Sequence, residues 1–83
     1  MEENASAASE ASDARETAAR RYDQAADELE AAVHHLRVAA RHFREREVPR
    51  GCAHAFAAYG HMRTAQIQVD ENAILHASKA LRE

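Results

Sequence analysis

The sequence predicts an all-α fold, an antiparallel two-helix hairpin, and three observations lead there. Apolar residues recur at alternating spacings of four and three through the first half of the chain. The one proline, Pro49, lies in the only strong helix-breaking run. On both sides of that run histidines repeat seven residues apart, His35 with His42 before it and His54 with His61 after it.

Taken in order, residues 1–12 are Ala, Ser, Glu and Asn without hydrophobic periodicity, which predicts a flexible or frayed N-terminal extension. Asp13 followed by Glu16 has the form of a capping box, so helix one is expected over about 13–46. Within it Tyr22, Ala26, Leu29, Val33, Leu36, Ala40 and Phe43 form the stripe of a bundle seam. Beside that stripe runs a column of Ala18, Ala25, Ala32 and Ala39, whose lack of bulk admits a close neighbour.

The turn is expected at 47–51, because proline lacks a backbone donor and disfavours helix in the residue before it. Pro49 then fits the first turn of helix two, which runs over about 50–81. Gly60 falls inside that helical pattern and reads as a close helix contact. Apolar residues cover a wide arc of helix two: Ala55, Met62 and Val69 on one column, Tyr59 and Ala73 beside it, and Ile67, Ile74 and Leu81 further round. A helix apolar over more surface than one partner covers needs a second partner. With 83 residues, no Trp and only two Phe and two Tyr, a lone Ala-rich hairpin buries little area against its ordering entropy. A homo-oligomer is therefore expected, in its simplest form a two-fold dimer closing a four-helix bundle.

In an antiparallel hairpin, positions whose numbers add to a constant lie side by side. His42 with His54, His35 with His61 and Glu28 with Gln68 share one such constant, so three opposed levels are expected along one edge. Imidazole nitrogen suits Zn, Cu and Ni, and a bundle site needs ligands converging from facing helices. The candidate metal ligands are His35, His42, His54 and His61, assisted by Glu28. Seven residues of helix rise about 10 Å, so His35 and His42 cannot share one ion; each level supplies two ligands, and a carboxylate, water or second chain supplies the rest. The competing reading leaves these histidines at the border of the packed face, carbon edge buried and one nitrogen in water. A third makes opposed imidazoles a pH-sensitive contact.

Other residues point to less. Cys52, the only cysteine, excludes an intrachain disulfide, fits a reducing compartment and reads as a small buried apolar residue. Tyr22 and Tyr59 read as core aromatics with their hydroxyls at the rim. Eleven basic against fourteen acidic residues form no basic stripe, so no nucleic-acid partner is expected. No apolar run approaches the roughly 18 residues needed to span a bilayer, and a cytoplasmic protein without a membrane partner is expected. The chain holds no nucleophile-base-acid set, phosphate loop, Cys-x-x-Cys or Glu-x-x-His motif, and no residue set specifies a reaction.

The segments Ala31-Ala32-Val33-His34-His35, Ala39-Ala40-Arg41-His42, Ala53-His54-Ala55, Ala58-Tyr59-Gly60-His61 and His76-Ala77 resemble a group of short bacterial Ala- and His-rich helical hairpins, over about residues 31–77. The resemblance implies metal binding, carried by His34, His35, His42, His54, His61 and His76. Where that group tends to have further histidines this chain has Phe56, Tyr59, Met62, Ile67 and Leu75, which argues against bulk metal storage and leaves the reduced histidine set as either a discrete site or a relic. Two functions follow as expectations: a self-associating bundle that binds a transition metal through hairpin histidines, or a structural interaction module in which the histidines are incidental.

Overall fold

A computed structural model describes the backbone of residues 2–80 and the side chains of residues 13–79. Leu81 and the side chains of the expected 1–12 extension lie outside the described residues. Two helices pack antiparallel against each other, α1 over Glu2–Arg44 and α2 over Val48–Ala80. Helical backbone begins well ahead of the Asp13 capping box, in a stretch rich in the strong helix formers Ala and Glu. The molecule is a thin ribbon of 67 × 23 × 12 Å. No described helix is long and apolar enough to cross a membrane.

The break falls at 45–47, slightly earlier and tighter than the 47–51 expected from sequence. Its hydrogen bonds explain why. Arg46 takes a left-handed φ of 64°, the Arg46 amide donates to the Phe43 carbonyl (3.1 Å) and the Glu47 amide to the His42 carbonyl (2.8 Å). This paired pattern is a Schellman motif, with an arginine where glycine is usual. Arg41, His42 and Arg44 in the last turn of α1 complement its C-terminal dipole, and α2 opens with the Gly51 amide donating to the Glu47 carbonyl (3.0 Å), with Pro49 in its first turn.

The packed seam consists almost wholly of alanine. Ala25, Ala32 and Ala39 of α1 and Ala58 and Ala65 of α2 are buried, and Gly51 and Asn72 extend the same seven-residue column of α2 at its two ends. The large apolar stripe read as a seam lies beside it instead: Tyr22, Leu29, Val33, Leu36 and Phe43 are all about half exposed. Sequence periodicity identifies a stripe but not which column is its centre. Two helices close most tightly where both present Cβ alone, and bulkier residues are displaced to the flanks.

The same geometry corrects three smaller expectations. Cys52 is exposed, being one residue and therefore about 100° round the helix from the buried Gly51. Tyr22 and Tyr59 are more than half exposed. Nothing approaches within 4 Å of the position a Gly60 side chain would occupy, since the seam is set by Ala58 and Ala65. Gly51 is the glycine at a close approach: a Cβ there would meet the Phe43 ring at 2.5 Å and the Ala39 carbonyl oxygen at 3.2 Å.

The seam divides the ribbon into two unlike faces. Counting four residues after each seam position gives Tyr22, Leu29, Leu36 and Phe43 on α1 and Ala55, Met62, Val69 and His76 on α2. Counting four before gives Arg21, Glu28 and His35 on α1 and His54, His61 and Gln68 on α2. In an antiparallel pair, columns displaced in the same rotational sense fall on the same side. One face is therefore apolar except for His76 near the open end of the hairpin, and the other carries His35, His54 and His61.

Candidate functional site

On the polar face, imidazoles from the two helices interleave. His42 stacks on His54 with ring centroids 5.4 Å apart, His54 lies 5.2 Å from His35, and His35 stacks on His61 at 5.4 Å. The opposed pairs expected from the numbering lie next to each other, but the contact between levels is as close as the contacts within them. His35 Nδ1 and His54 Nδ1 are 3.0 Å apart, a hydrogen bond in which one ring donates and the other accepts. The four rings form one zigzag ladder. His34 touches it from the side, edge-on to His35 at 5.6 Å, while His76 lies on the rim of a groove near the open end of the hairpin.

A carboxylate bounds each end of the ladder. His61 Nδ1 donates to Glu28 Oε2 at 2.5 Å, and His42 Nδ1 donates to Glu47 Oε2 at 3.0 Å. Glu28 thus reaches across to His61, seven residues from the Gln68 level expected for it, because the carboxylate finds a donor there. In the neutral rings these bonds fix the proton on Nδ1 and leave Nε2 as the basic nitrogen, the arrangement by which a carboxylate behind an imidazole orients it toward a metal ion.

Glu47 is a site residue that the sequence reading missed. The Schellman turn brings the residue after the left-handed position beside the last turn of the preceding helix, where an apolar contact is usual. Here the two positions are Glu47 and His42, and the contact is polar. Arg50 donates a second hydrogen bond to Glu47 Oε2 (3.2 Å) from the exposed rim. The His42 side chain is only 13 % exposed, the least accessible in its cluster.

Electrostatically the ladder disfavours added positive charge. The pKa of His54 lies below the ordinary 6.5, through desolvation first and then through repulsion by His35, His42, His34 and Arg41. A neutral His54 agrees with the His35–His54 hydrogen bond, which two protonated rings could not form.

At the other end of the ribbon, Asn72 is the only buried polar residue among those described. Its Nδ2 donates to the Ala18 carbonyl (3.0 Å), while Arg21 Nη1 donates to its Oδ1 (3.2 Å) and Arg21 Nε pairs with Glu71 (3.2 Å). This network satisfies the polar group locally and ties the two helices together away from the turn. An asparagine in the column of Gly51, Ala58 and Ala65 was the available sequence signal for it.

The ladder can do two things chemically: present imidazole nitrogens in pairs to a soft or borderline metal ion, and exchange protons along its length. Comparison with protein-family models, with curated proteins and with solved structures finds no match to this chain, so the functional reading rests on the geometry of the ladder and its flanking carboxylates.

Proposed function

We propose that this chain is a self-associating helical hairpin that binds a transition-metal ion on its histidine face. The observation that carries the metal reading is the 3.0 Å approach of His35 Nδ1 to His54 Nδ1. Two nitrogens bound to one tetrahedral ion at about 2.0–2.1 Å sit about 3.3 Å apart, so a small outward rotation of either ring makes room for the ion. His61, one step along the ladder and oriented by Glu28, supplies a third nitrogen on ring rotation, and water completes the set. His42 is the terminal member beyond His54. An all-imidazole set suits Zn, Cu or Ni.

Self-association is supported by the opposite face. Tyr22, Leu29, Val33, Leu36, Phe43, Tyr59, Met62 and Val69 are each 40–58 % exposed, along a ribbon 67 Å long and 23 Å wide. From Tyr22 to Phe43 these residues follow about 32 Å of helix, an apolar strip long enough for another hairpin to pack along. A second copy laid on it closes a four-helix bundle with both histidine faces outward, so each ladder would serve its own hairpin. We assign the protein to the cytoplasm because its single cysteine is exposed and suits a reducing compartment.

Titrating untagged, metal-free protein with Zn²⁺, Cu²⁺ and Ni²⁺ tests the metal reading. The parent chain is expected to take up metal that the His35→Ala/His42→Ala/His54→Ala/His61→Ala variant does not. Equal uptake by both would overturn it. The second reading, an interaction module with incidental histidines, is favoured by the fact that each of the four histidines already has a protein partner in the hairpin.

A further inference from the structure

We propose that the hairpin turn holds a second, separate divalent-cation site, built from His42, Glu45 and Glu47 and suited to a harder ion than the ladder takes. One ring nitrogen of His42 and one carboxylate oxygen from each glutamate lie within 4.8 Å of one another. Ligands at about 2.1 Å in an octahedral site span about 3.0 Å when adjacent and about 4.2 Å when opposite. The cluster therefore needs only a slight contraction. Glu45 is fully on the surface and Glu47 partly so, which makes that contraction a matter of rotating two long side chains.

The fold itself brings the three groups together. Glu45 follows His42 by three residues, which places both on one face of the last turn of α1. Glu47 is folded back onto His42 by the left-handed Arg46 and the two amide bonds it permits. A turn with glycine at that position would need no tolerated backbone strain; the polar Glu47–His42 contact replaces the usual apolar one and holds the turn closed at the same point. His42, the least exposed member, provides a fixed nitrogen, and the carboxylates provide the mobile oxygens.

This donor set differs in kind from the ladder. One imidazole with two carboxylates suits Mn²⁺, Fe²⁺ or Zn²⁺, whereas an all-imidazole set binds Mn²⁺ poorly. Mn²⁺ thus reports on the turn, whereas Cu²⁺, held more tightly by either donor set, reports on the ladder only through what is lost when ladder histidines are removed. Arg50, bonded to Glu47 from the rim, competes with the cation for that carboxylate.

The test uses the full untagged chain, cleared of metal by chelation, and follows Mn²⁺ by its electron paramagnetic signal and by the broadening of amide resonances. Broadening is expected around residues 42–50. Glu45→Gln should weaken Mn²⁺ binding at least about ten-fold, although the Glu45 side chain makes no hydrogen bond or ion pair among the described residues and so is not needed for the fold. Arg50→Ala should tighten it about two- to five-fold, in line with losing an exposed competing ion pair. Changing His35 and His54 to alanine should leave Mn²⁺ binding at the turn in place while Cu²⁺ uptake falls, which separates this site from the ladder. The proposal is overturned by absent Mn²⁺ binding, by broadening centred on residues 28–35 and 54–61, or by a Glu45→Gln variant that binds like the parent.

Discussion

The two faces of the ribbon use the same seven-residue spacing to opposite ends. Four positions after most seam residues stand leucine, methionine, valine and aromatic side chains left about half exposed by the hairpin; four positions before most of them stand histidine, glutamate and arginine whose polar atoms are largely paired across the helices. The contrast teaches that in this chain alanine decides the distance between helices and the larger residues decide what else can approach. The helices meet along Cβ atoms, so a bulky residue beside the seam is half covered at most, and an amphipathic imidazole or guanidinium beside it can reach its counterpart on the other helix.

The largest effect is expected on the apolar face. Replacing Leu36 and Met62 with glutamate would place two charges where a second hairpin is proposed to lie, and burying one large apolar side chain is worth about 1.5–3 kcal/mol. Sedimentation should show the association constant falling by at least about 100-fold, with metal uptake by the histidine face retained. Unchanged sedimentation would show that the face is not the contact between copies.

Next in size is the seam. Ala58 is fully buried, and Ala58→Leu would push the helices apart at that level of the seam, costing about 1–3 kcal/mol in urea denaturation. If the variant is as stable as the parent, alanine does not set the helix separation and the distinction between the faces loses its basis.

The smallest effect belongs to the histidine face, in metal-free buffer. His54 has a folded pKa below its ordinary 6.5, so the unfolded chain binds the proton first as pH falls. Its contribution is neutral to stability well above pH 6.5 and becomes increasingly unfavourable as pH drops from 6.5 toward the lower folded value. The groups that disfavour its charge are His35, His42, His34 and Arg41. His54→Gln should therefore flatten the loss of stability on acidification below about pH 6.5, measured by denaturation at a series of pH values. A slope as steep as the parent's would assign the acid sensitivity elsewhere.

Much of the hairpin was legible in the chain itself. Pro49 marks the reversal, the column of alanines announces close packing, and the equal spacing of His35/His42 and His54/His61 places the imidazoles on one edge. The centre of the seam was less legible, because Tyr22, Leu29, Leu36 and Phe43 form as regular a stripe as Ala18, Ala25, Ala32 and Ala39, and periodicity alone does not rank two adjacent columns. The offset pairing of Glu28 with His61 depends on side-chain reach, which numbering does not encode. Glu47 escaped notice for a backbone reason: nothing about Arg46 as a residue announces a positive φ, and without that bend Glu47 would point away from His42. Glu45, by contrast, follows His42 by three residues, a spacing that helix geometry alone sets on one face.

Asn72 acts as an indexing peg. Alanine repeats every seven residues on both sides of the seam, so sliding one helix past the other by two turns, about 10 Å, would bring alanine against alanine again at most positions. A shift that set Asn72 against Ala25 would still offer it a backbone carbonyl but would put Glu28 where Arg21 now donates to its Oδ1, losing that bond and the Arg21–Glu71 pair beside it. Far from the turn, one side chain thus reinforces the alignment that the short 45–47 connection sets, and with it the interleaving of the four imidazoles of the ladder.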